Sequence, residues 1–103
     1  MLIWTELAQK DVMDFINTAK PGIKNTIKKY FLNLSTYIEY LDFMPYLGKP
    51  LNLFSKDLNI HQIIFRSHKV IYQISNSNIY ILTVIHSKMD TKTIISKIID
   101  SLN

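Results

Sequence analysis

Cysteine is absent from the chain, and glycine occurs only twice. A protein without cysteine forms neither disulfides nor thiolate metal sites. Two glycines are too few for a glycine-rich loop that cradles nucleotide phosphates, so we expect no bound cofactor. The three histidines, His61, His68 and His86, are too few and too dispersed to predict a metal site.

Long apolar runs are also missing. No stretch approaches the roughly 18 apolar residues that a membrane-spanning helix needs. Glu6 interrupts the apolar N-terminal segment where a signal peptide needs its apolar core. We therefore expect a cytoplasmic protein with no membrane partner. Because domains cluster near roughly 100 to 150 residues, residues 1–103 are expected to form a single domain.

Arginine is scarce, since Arg66 is the only arginine among twelve basic residues. The charge is also uneven along the chain. Residues 43–103 hold seven basic residues and three acids, so this part carries the whole net charge of +4. A basic second half favours a polyanionic target or an acidic partner segment. A basic surface that serves only solubility would have the same composition.

Apolar residues repeat with helical spacing in the first half of the chain. Residues 2–4 are a short apolar run that predicts a strand, and Thr5 can cap a following helix. One face of that helix is apolar, whereas its charged residues, Asp11 among them, are expected to face water. A second amphipathic helix is predicted over 21–42, opened by its proline. The two helices together predict an αα-hairpin.

The period changes from helical to extended in the second half. Proline and glycine between residues 43 and 50 end the helical hairpin. Short apolar segments joined by polar turns then predict strands connected as hairpins. Their ranges are 51–54, 60–65, 69–74 and 79–86. The last of these is apolar on both faces, which indicates a central strand that is covered on both sides.

A final helix is predicted after Asp90, with an apolar stripe that includes Ile95 and Ile99. The complete pattern predicts an α+β fold. In that fold an N-terminal strand and an α-helical hairpin pack on an antiparallel β-sheet, and a C-terminal helix follows the sheet.

Cations and imidazoles gather on the predicted sheet and its hairpins. The candidate target-binding residues are Arg66, His68, Lys69, His86 and Lys88. Such a surface could bind RNA phosphates, and a histidine could move a proton during attack by a 2′-hydroxyl. Lys69, His86 and Lys88 are therefore the candidate catalytic residues. Hairpins and strand ends are also ordinary places for solvated or structural polar residues, so a structural role stays open for each.

Four segments, taken in order, resemble the RelE/ParE superfamily of bacterial type II toxins. The chain opens with IWTELAQKDV at residues 3–12, and PYLGKP follows the helical hairpin at residues 45–50. A strand reads KVIYQI at residues 69–74, and VIHSKMD stands at residues 84–90. The order and spacing of these segments match the family nearly from end to end.

This resemblance implies a fold, partners and further contact residues. A cognate antitoxin would be the physiological partner, and the target would be DNA gyrase or the ribosome with its messenger RNA. No small-molecule substrate is implied. The antitoxin is expected to contact His61, Ile95 and Ile99, while a structural role for His61 stays open.

Departures from the family pattern bear on the mechanism. Lys88 and Met89 stand where the family has two arginines, and residues 87–103 contain neither arginine nor tyrosine. Lysine does not reproduce the bidentate phosphate binding of arginine. We therefore favour a ParE-like toxin that binds DNA gyrase. The alternatives are a RelE-like endonuclease that cuts messenger RNA on the ribosome, and a degenerate, non-toxic relative that still binds an antitoxin.

Overall fold

The part of the chain that can be described covers nearly all of its length. A computed structural model describes residues 1–52 and 56–102, without the side chains of residues 56, 95, 97 and 99–102. The predicted antitoxin contacts Ile95 and Ile99 therefore lie outside the described side chains. Within the described residues, no helix combines the length and the apolar character that crossing a bilayer would need.

The first half folds as the predicted strand and helical hairpin. Strand β1 (Leu2–Trp4) precedes helix α1 (Glu6–Asn17), and the Thr5 hydroxyl accepts the Ala8 amide as the N-cap of α1. Helix α2 (Lys24–Ile38) is preceded and followed by short 3-10 segments, so the predicted 21–42 helix is α-helical only in its centre.

The second half forms the predicted sheet. Strands β2 (Lys49–Pro50), β3 (Ile60–Phe65), β4 (His68–Ser75) and β5 (Asn78–His86) pair in succession and antiparallel. Strand β1 adds to the free side of β5 and runs parallel to it, which gives a five-stranded mixed sheet in the order β1-β5-β4-β3-β2.

The edge strand begins earlier than the predicted range of 51–54. Strand β2 ends at Pro50, because the chain bends away at Asn52 after one more ladder bond, from the Leu51 amide to the Ile60 carbonyl at 2.8 Å. Leu51 and Asn52 are therefore not part of a strand, and the rest of the predicted range lies outside the described residues.

Strand β5 is buried on both of its faces, as its apolar sequence predicted. Helices α1 and α2 cover one face, where Leu34 and Ile38 pack on Val70 and Ile81. Helix α3 (Thr91–Leu102) covers the other face through a smaller cluster, and its members are Ile60, Ile71, Leu82 and Ile98. Because side chains alternate along a strand, β5 contributes to both cores.

Candidate functional site: a basic end of the sheet and an apolar cleft

Four of the five predicted target-binding residues meet at one end of the sheet. Arg66 lies in the turn between β3 and β4, and His68 opens β4. His68 pairs in register with His86, the last residue of β5, and Lys88 follows in the next turn. We call Arg66, His68, His86 and Lys88 the basic end. The strands therefore join residues that lie far apart in sequence.

His68 is held inside an aromatic cluster. Its Nδ1 lies 2.8 Å from the hydroxyl of Tyr30, and its ring packs against Phe15 at 4.9 Å and Phe31 at 5.2 Å between centroids. Burial, followed by the nearby His86, lowers the pKa of His68 below its usual 6.5. His68 is therefore mainly neutral at pH 7 and contributes little positive charge to the basic end.

His86 lies beside His68, with the two ring centroids 5.7 Å apart. The amide of Lys88 donates to Nδ1 of His86 at 3.2 Å. An imidazole that accepts at Nδ1 carries its single proton on Nε2 when it is neutral. His86 can therefore donate a hydrogen bond from Nε2 to an acceptor on a target.

The two cations of the basic end are both exposed. The guanidinium carbon of Arg66 stacks 5.0 Å from the centroid of the Phe65 ring. Arg66 has φ of 52°, in the left-handed region, which directs the chain through the tight turn. The planar guanidinium is the group at this end that can bind a phosphate or carboxylate in bidentate fashion.

Lys69 lies next to the basic end but points to the opposite face of the sheet from His68. Successive side chains on a strand point to opposite faces, so Lys69 reaches the α3 side while His68 reaches α1 and α2. Its amine donates to the Met89 carbonyl at 3.1 Å and to the Thr91 hydroxyl at 2.9 Å. Lys69 thereby ties β4 to the start of α3. Its role in target binding or catalysis stays a prediction, as do those of His86 and Lys88.

His61, a predicted antitoxin contact, is buried on β3 with an exposed fraction of 4%. Its Nε2 lies 2.8 Å from the side-chain oxygen of Asn59, and its ring stacks on Tyr72 at 5.5 Å. These contacts give His61 a structural role inside the sheet. A direct contact with an antitoxin stays a prediction.

A large apolar cleft opens between α1, β5 and α3, at a position that the sequence pattern did not predict. Its volume is about 740 Å³. The apolar lining comes from all three elements and includes Leu7, Phe15, Val84, Ile85, Ile94 and Ile98. No single one of these residues indicates a binding site in the sequence, because the cleft forms only where the helices α1 and α3 meet strand β5.

Asp11 is the polar centre of this cleft. It was expected to face water, but its carboxylate accepts from the Thr83 hydroxyl and, at 3.1 Å, from the Val84 amide. The expectation was wrong because β1 ends opposite Ile81. Among the described residues, the next part of β5 therefore has no strand on the side away from β4, and Asp11 supplies the acceptor there. Its place in the IWTELAQKDV segment was the only signal in the sequence.

The sequence matches a known protein family from the first residue of β1 to the first residue of α3. Residues 2–91 match the family described as the ParE toxin of the type II toxin-antitoxin system parDE. The chain belongs to the ParE toxin family. It is therefore a toxin of a type II toxin-antitoxin system, as the resemblance in the sequence had implied. No curated protein matches this ParE-family toxin.

Solved structures share the fold of the ParE-family toxin. The chromosomal ParDE toxin-antitoxin system from P. aeruginosa aligns with a TM-score of 0.66 and 15% identity, covering 82% of this chain and 92% of that chain. The toxin-antitoxin complex RelBE2 from Mycobacterium tuberculosis aligns with a TM-score of 0.52 and 19% identity, covering 84% of this chain and 95% of that one. At these identities the two structures are evidence for the fold.

Proposed function

We propose that this ParE-family toxin arrests growth in the cytoplasm by binding DNA gyrase, and that a cognate antitoxin neutralises it. The observation that carries the proposal is the basic end. Arg66 and Lys88 offer exposed cations there, and His86 has a ring nitrogen that can donate. These groups suit binding to a large anionic surface. A toxin that acts by binding alone needs no catalytic residues.

Membership of the ParE family supports gyrase over the ribosome as the target. The position of Lys69 supports the same choice. A ribonuclease that used Lys69, His86 and Lys88 together would need them around one phosphate. The amine of Lys69 is instead bonded to the Met89 carbonyl and the Thr91 hydroxyl, on the opposite face of the sheet from His68.

Supercoiling of relaxed plasmid by purified gyrase tests the proposal. Increasing amounts of the purified toxin should inhibit supercoiling, and Arg66→Ala and Lys88→Ala should each weaken the inhibition. Lys49→Ala is the matched control, because Lys49 is also exposed but lies on the edge strand β2. Undiminished supercoiling at a large excess of toxin would contradict the proposal.

A RelE-like endonuclease is the second candidate, favoured by the similarity of the fold to the RelBE2 complex. It predicts cleavage of messenger RNA in a translating extract, lost in His86→Ala. Message that stays intact would reject it. Induction of the toxin alone in cells covers the third possibility, because unimpaired growth would indicate a non-toxic relative that only binds an antitoxin.

A further inference from the structure

The helical hairpin carries its positive charge around the turn between its two helices. Residues 15–38 contain four lysines and no acid. The lysines are Lys20, Lys24, Lys28 and Lys29, and all except Lys24 are exposed. In the part of the chain that the structure describes, the ion pairs join other residues, so none of these lysines is paired with a carboxylate. Positive charge without a nearby acid favours an anionic partner.

These lysines lie next to the basic end of the sheet. His68 marks that end, since it opens β4 and pairs with the last residue of β5. Its ring packs against Phe15 near the end of α1 and against Phe31 in α2. Lys24, the first residue of α2, lies about 10 Å along the helix axis from Phe31. Residues 18–29, which we call the hairpin tip, therefore extend past the last pair of the β4–β5 ladder.

One tyrosine joins the hairpin tip to the basic end. The Tyr30 hydroxyl accepts the amide of Ser67 at 3.3 Å, and the Tyr30 ring contacts the Phe65 ring at 5.6 Å. The guanidinium of Arg66 stacks on that same phenylalanine. Lys29 directly precedes Tyr30, and Arg66 directly precedes Ser67. The cations of the hairpin tip and of the basic end therefore lie on one continuous surface.

The acids nearest to this surface in sequence are already engaged. Asp14 is paired with Lys10 at 2.7 Å. Asp90 caps α3, because it accepts from the Lys92 amide at 3.1 Å and from the Thr93 hydroxyl at 2.9 Å. Six cations, four from the hairpin tip and two from the basic end, thus outnumber these two acids.

The aromatic residues at this surface indicate which polyanion fits it. Proteins that bind single-stranded nucleic acid stack the bases on aromatic side chains. Here the rings pack on one another and on His68, and each of them is buried or half-buried. They are Phe15, Tyr30, Phe31 and Phe65. Double-stranded DNA keeps its bases inside and presents about one negative charge per 1.7 Å of its axis. Cations without stacking groups therefore suit a duplex.

We propose that the hairpin tip and the basic end together bind the phosphates of double-stranded DNA, without reading its sequence. In the complex with gyrase, the anionic surface that meets the basic end is then the DNA held by the enzyme. DNA binding itself needs no gyrase, whereas its place in that complex rests on the proposed function. The four lysines of the hairpin tip thereby gain a role on which the gyrase proposal does not depend.

Fluorescence anisotropy with a labelled duplex of about 20 base pairs, or roughly two helical turns, tests the binding. Each phosphate contact releases a counterion, so the logarithm of the affinity should fall linearly with the logarithm of the salt concentration. Six contacts predict a slope of about −5. A duplex rich in A·T pairs and one rich in G·C pairs should bind equally, and a single strand of the same length should bind more weakly.

Variants of the toxin locate the binding. Lys28→Gln should weaken binding to both duplexes and make the salt slope shallower by about 1, because one phosphate contact is lost. Lys49→Gln is its matched control, since Lys49 is also exposed but lies on the edge strand β2. It should leave affinity and slope unchanged. Circular dichroism checks that each variant is folded.

Several results would overturn the proposal. These are no binding to the duplex at low salt, equal losses in the Lys28 and Lys49 variants, and tighter binding of the single strand. Competition by polyglutamate that equals competition by unlabelled duplex at the same charge concentration would indicate an acidic protein segment instead. Stronger binding to phosphatidylserine vesicles would indicate a membrane surface.

The supercoiling assay separates this proposal from the gyrase proposal. A toxin that binds the duplex through Lys28 but leaves supercoiling unchanged would reject gyrase as the target and leave DNA binding standing. A toxin that inhibits supercoiling but does not bind the duplex would reject DNA binding and leave gyrase standing.

Discussion

The hydroxyl oxygen of Tyr30 on α2 lies 2.8 Å from Nδ1 of His68 on β4. The same oxygen accepts the Ser67 amide at 3.3 Å and lies 3.2 Å from the Phe65 carbonyl, which can accept its proton. One phenol therefore fixes the β3–β4 turn and the first histidine of the basic end. The helical hairpin thus positions His68 and the β3–β4 turn, which belong to the proposed target surface but not to the hairpin itself.

His68 should make the stability of the toxin depend on pH. Its pKa is lowered in the folded state, first by burial and then by His86. The unfolded chain therefore binds the proton more readily. The stability that comes from keeping His68 neutral is complete above about pH 6.5, the usual histidine pKa. It is lost as the pH falls from there towards the lower pKa of His68 in the folded protein.

Urea unfolding between pH 8 and pH 5 measures this effect. The free energy of unfolding should fall more steeply with decreasing pH for the unmodified protein than for His68→Phe, which keeps a ring in the aromatic cluster without a titrating group. Parallel profiles for the two proteins would show that His68 is not the cause.

Gly48 should be intolerant of even a methyl group. A Cβ atom there would lie 2.5 Å from the Tyr72 hydroxyl and 2.7 Å from the Gln62 carbonyl, which are too close for real contacts. The Gly48 amide also donates to the Tyr72 hydroxyl at 2.9 Å, so a shift would disturb that bond. Gly48→Ala should lower the free energy of unfolding by about 1–3 kcal/mol.

Gly22→Ala is the matched control for this substitution. Among the described residues, a Cβ atom added at Gly22 would meet nothing within 4 Å, and the φ of Gly22 is not positive. The change should leave stability the same or raise it by about 0.5 kcal/mol, because alanine restricts the unfolded chain. Thermal unfolding measures the melting temperatures of Gly48→Ala and Gly22→Ala. Equal melting temperatures would contradict the close approach of other atoms to Gly48.

Asp11→Ala should destabilise the toxin by about 1–2 kcal/mol, since the Val84 amide and the Thr83 hydroxyl would lose a charged acceptor. Asp11→Asn keeps one oxygen acceptor and should cost less. Asp14→Asn breaks only an exposed ion pair and should change the free energy of unfolding by about 0.3 kcal/mol. Equal losses for Asp11→Ala and Asp14→Asn in urea titrations would show that Asp11 does not secure β5.

Lys69→Met should loosen the start of α3. The methionine keeps an apolar stem but removes the amine that donates to the Met89 carbonyl and the Thr91 hydroxyl. Hydrogen exchange of the first α3 amides should accelerate, and stability should fall by about 1 kcal/mol. Lys92→Met, at an exposed position on the same helix, is the control. Unchanged exchange combined with lost toxicity would instead favour a direct role for Lys69 in attacking the target.

The elements that depend on local pattern were predicted well. The 60–65 strand matches β3 at both ends, and the predicted 79–86 strand begins one residue later than β5. Their apolar runs and polar turns are local signals. The helical cores of α1 and α2 were predicted for the same reason, because their spacing of three and four is read within each segment.

The elements that depend on distant pairing were not predicted. Nothing within residues 2–4 says that they lie parallel to β5, because a short apolar strand fits any free edge of the sheet. The role of Asp11 follows from where β1 ends, and the cleft follows from the meeting of α1 with α3. The aromatic surroundings of His68 likewise come from both helices and could not be read from its own strand.

The parallel pairing of Leu2 with Ile79 sets an order of events for the newly made chain. The first strand leaves the ribosome long before its partner exists, and at roughly 5–20 residues per second it waits for several seconds. The toxin therefore completes its sheet only after β5 has been synthesised. An antitoxin already present in the cell can meet the growing polypeptide before it reaches a form able to do harm.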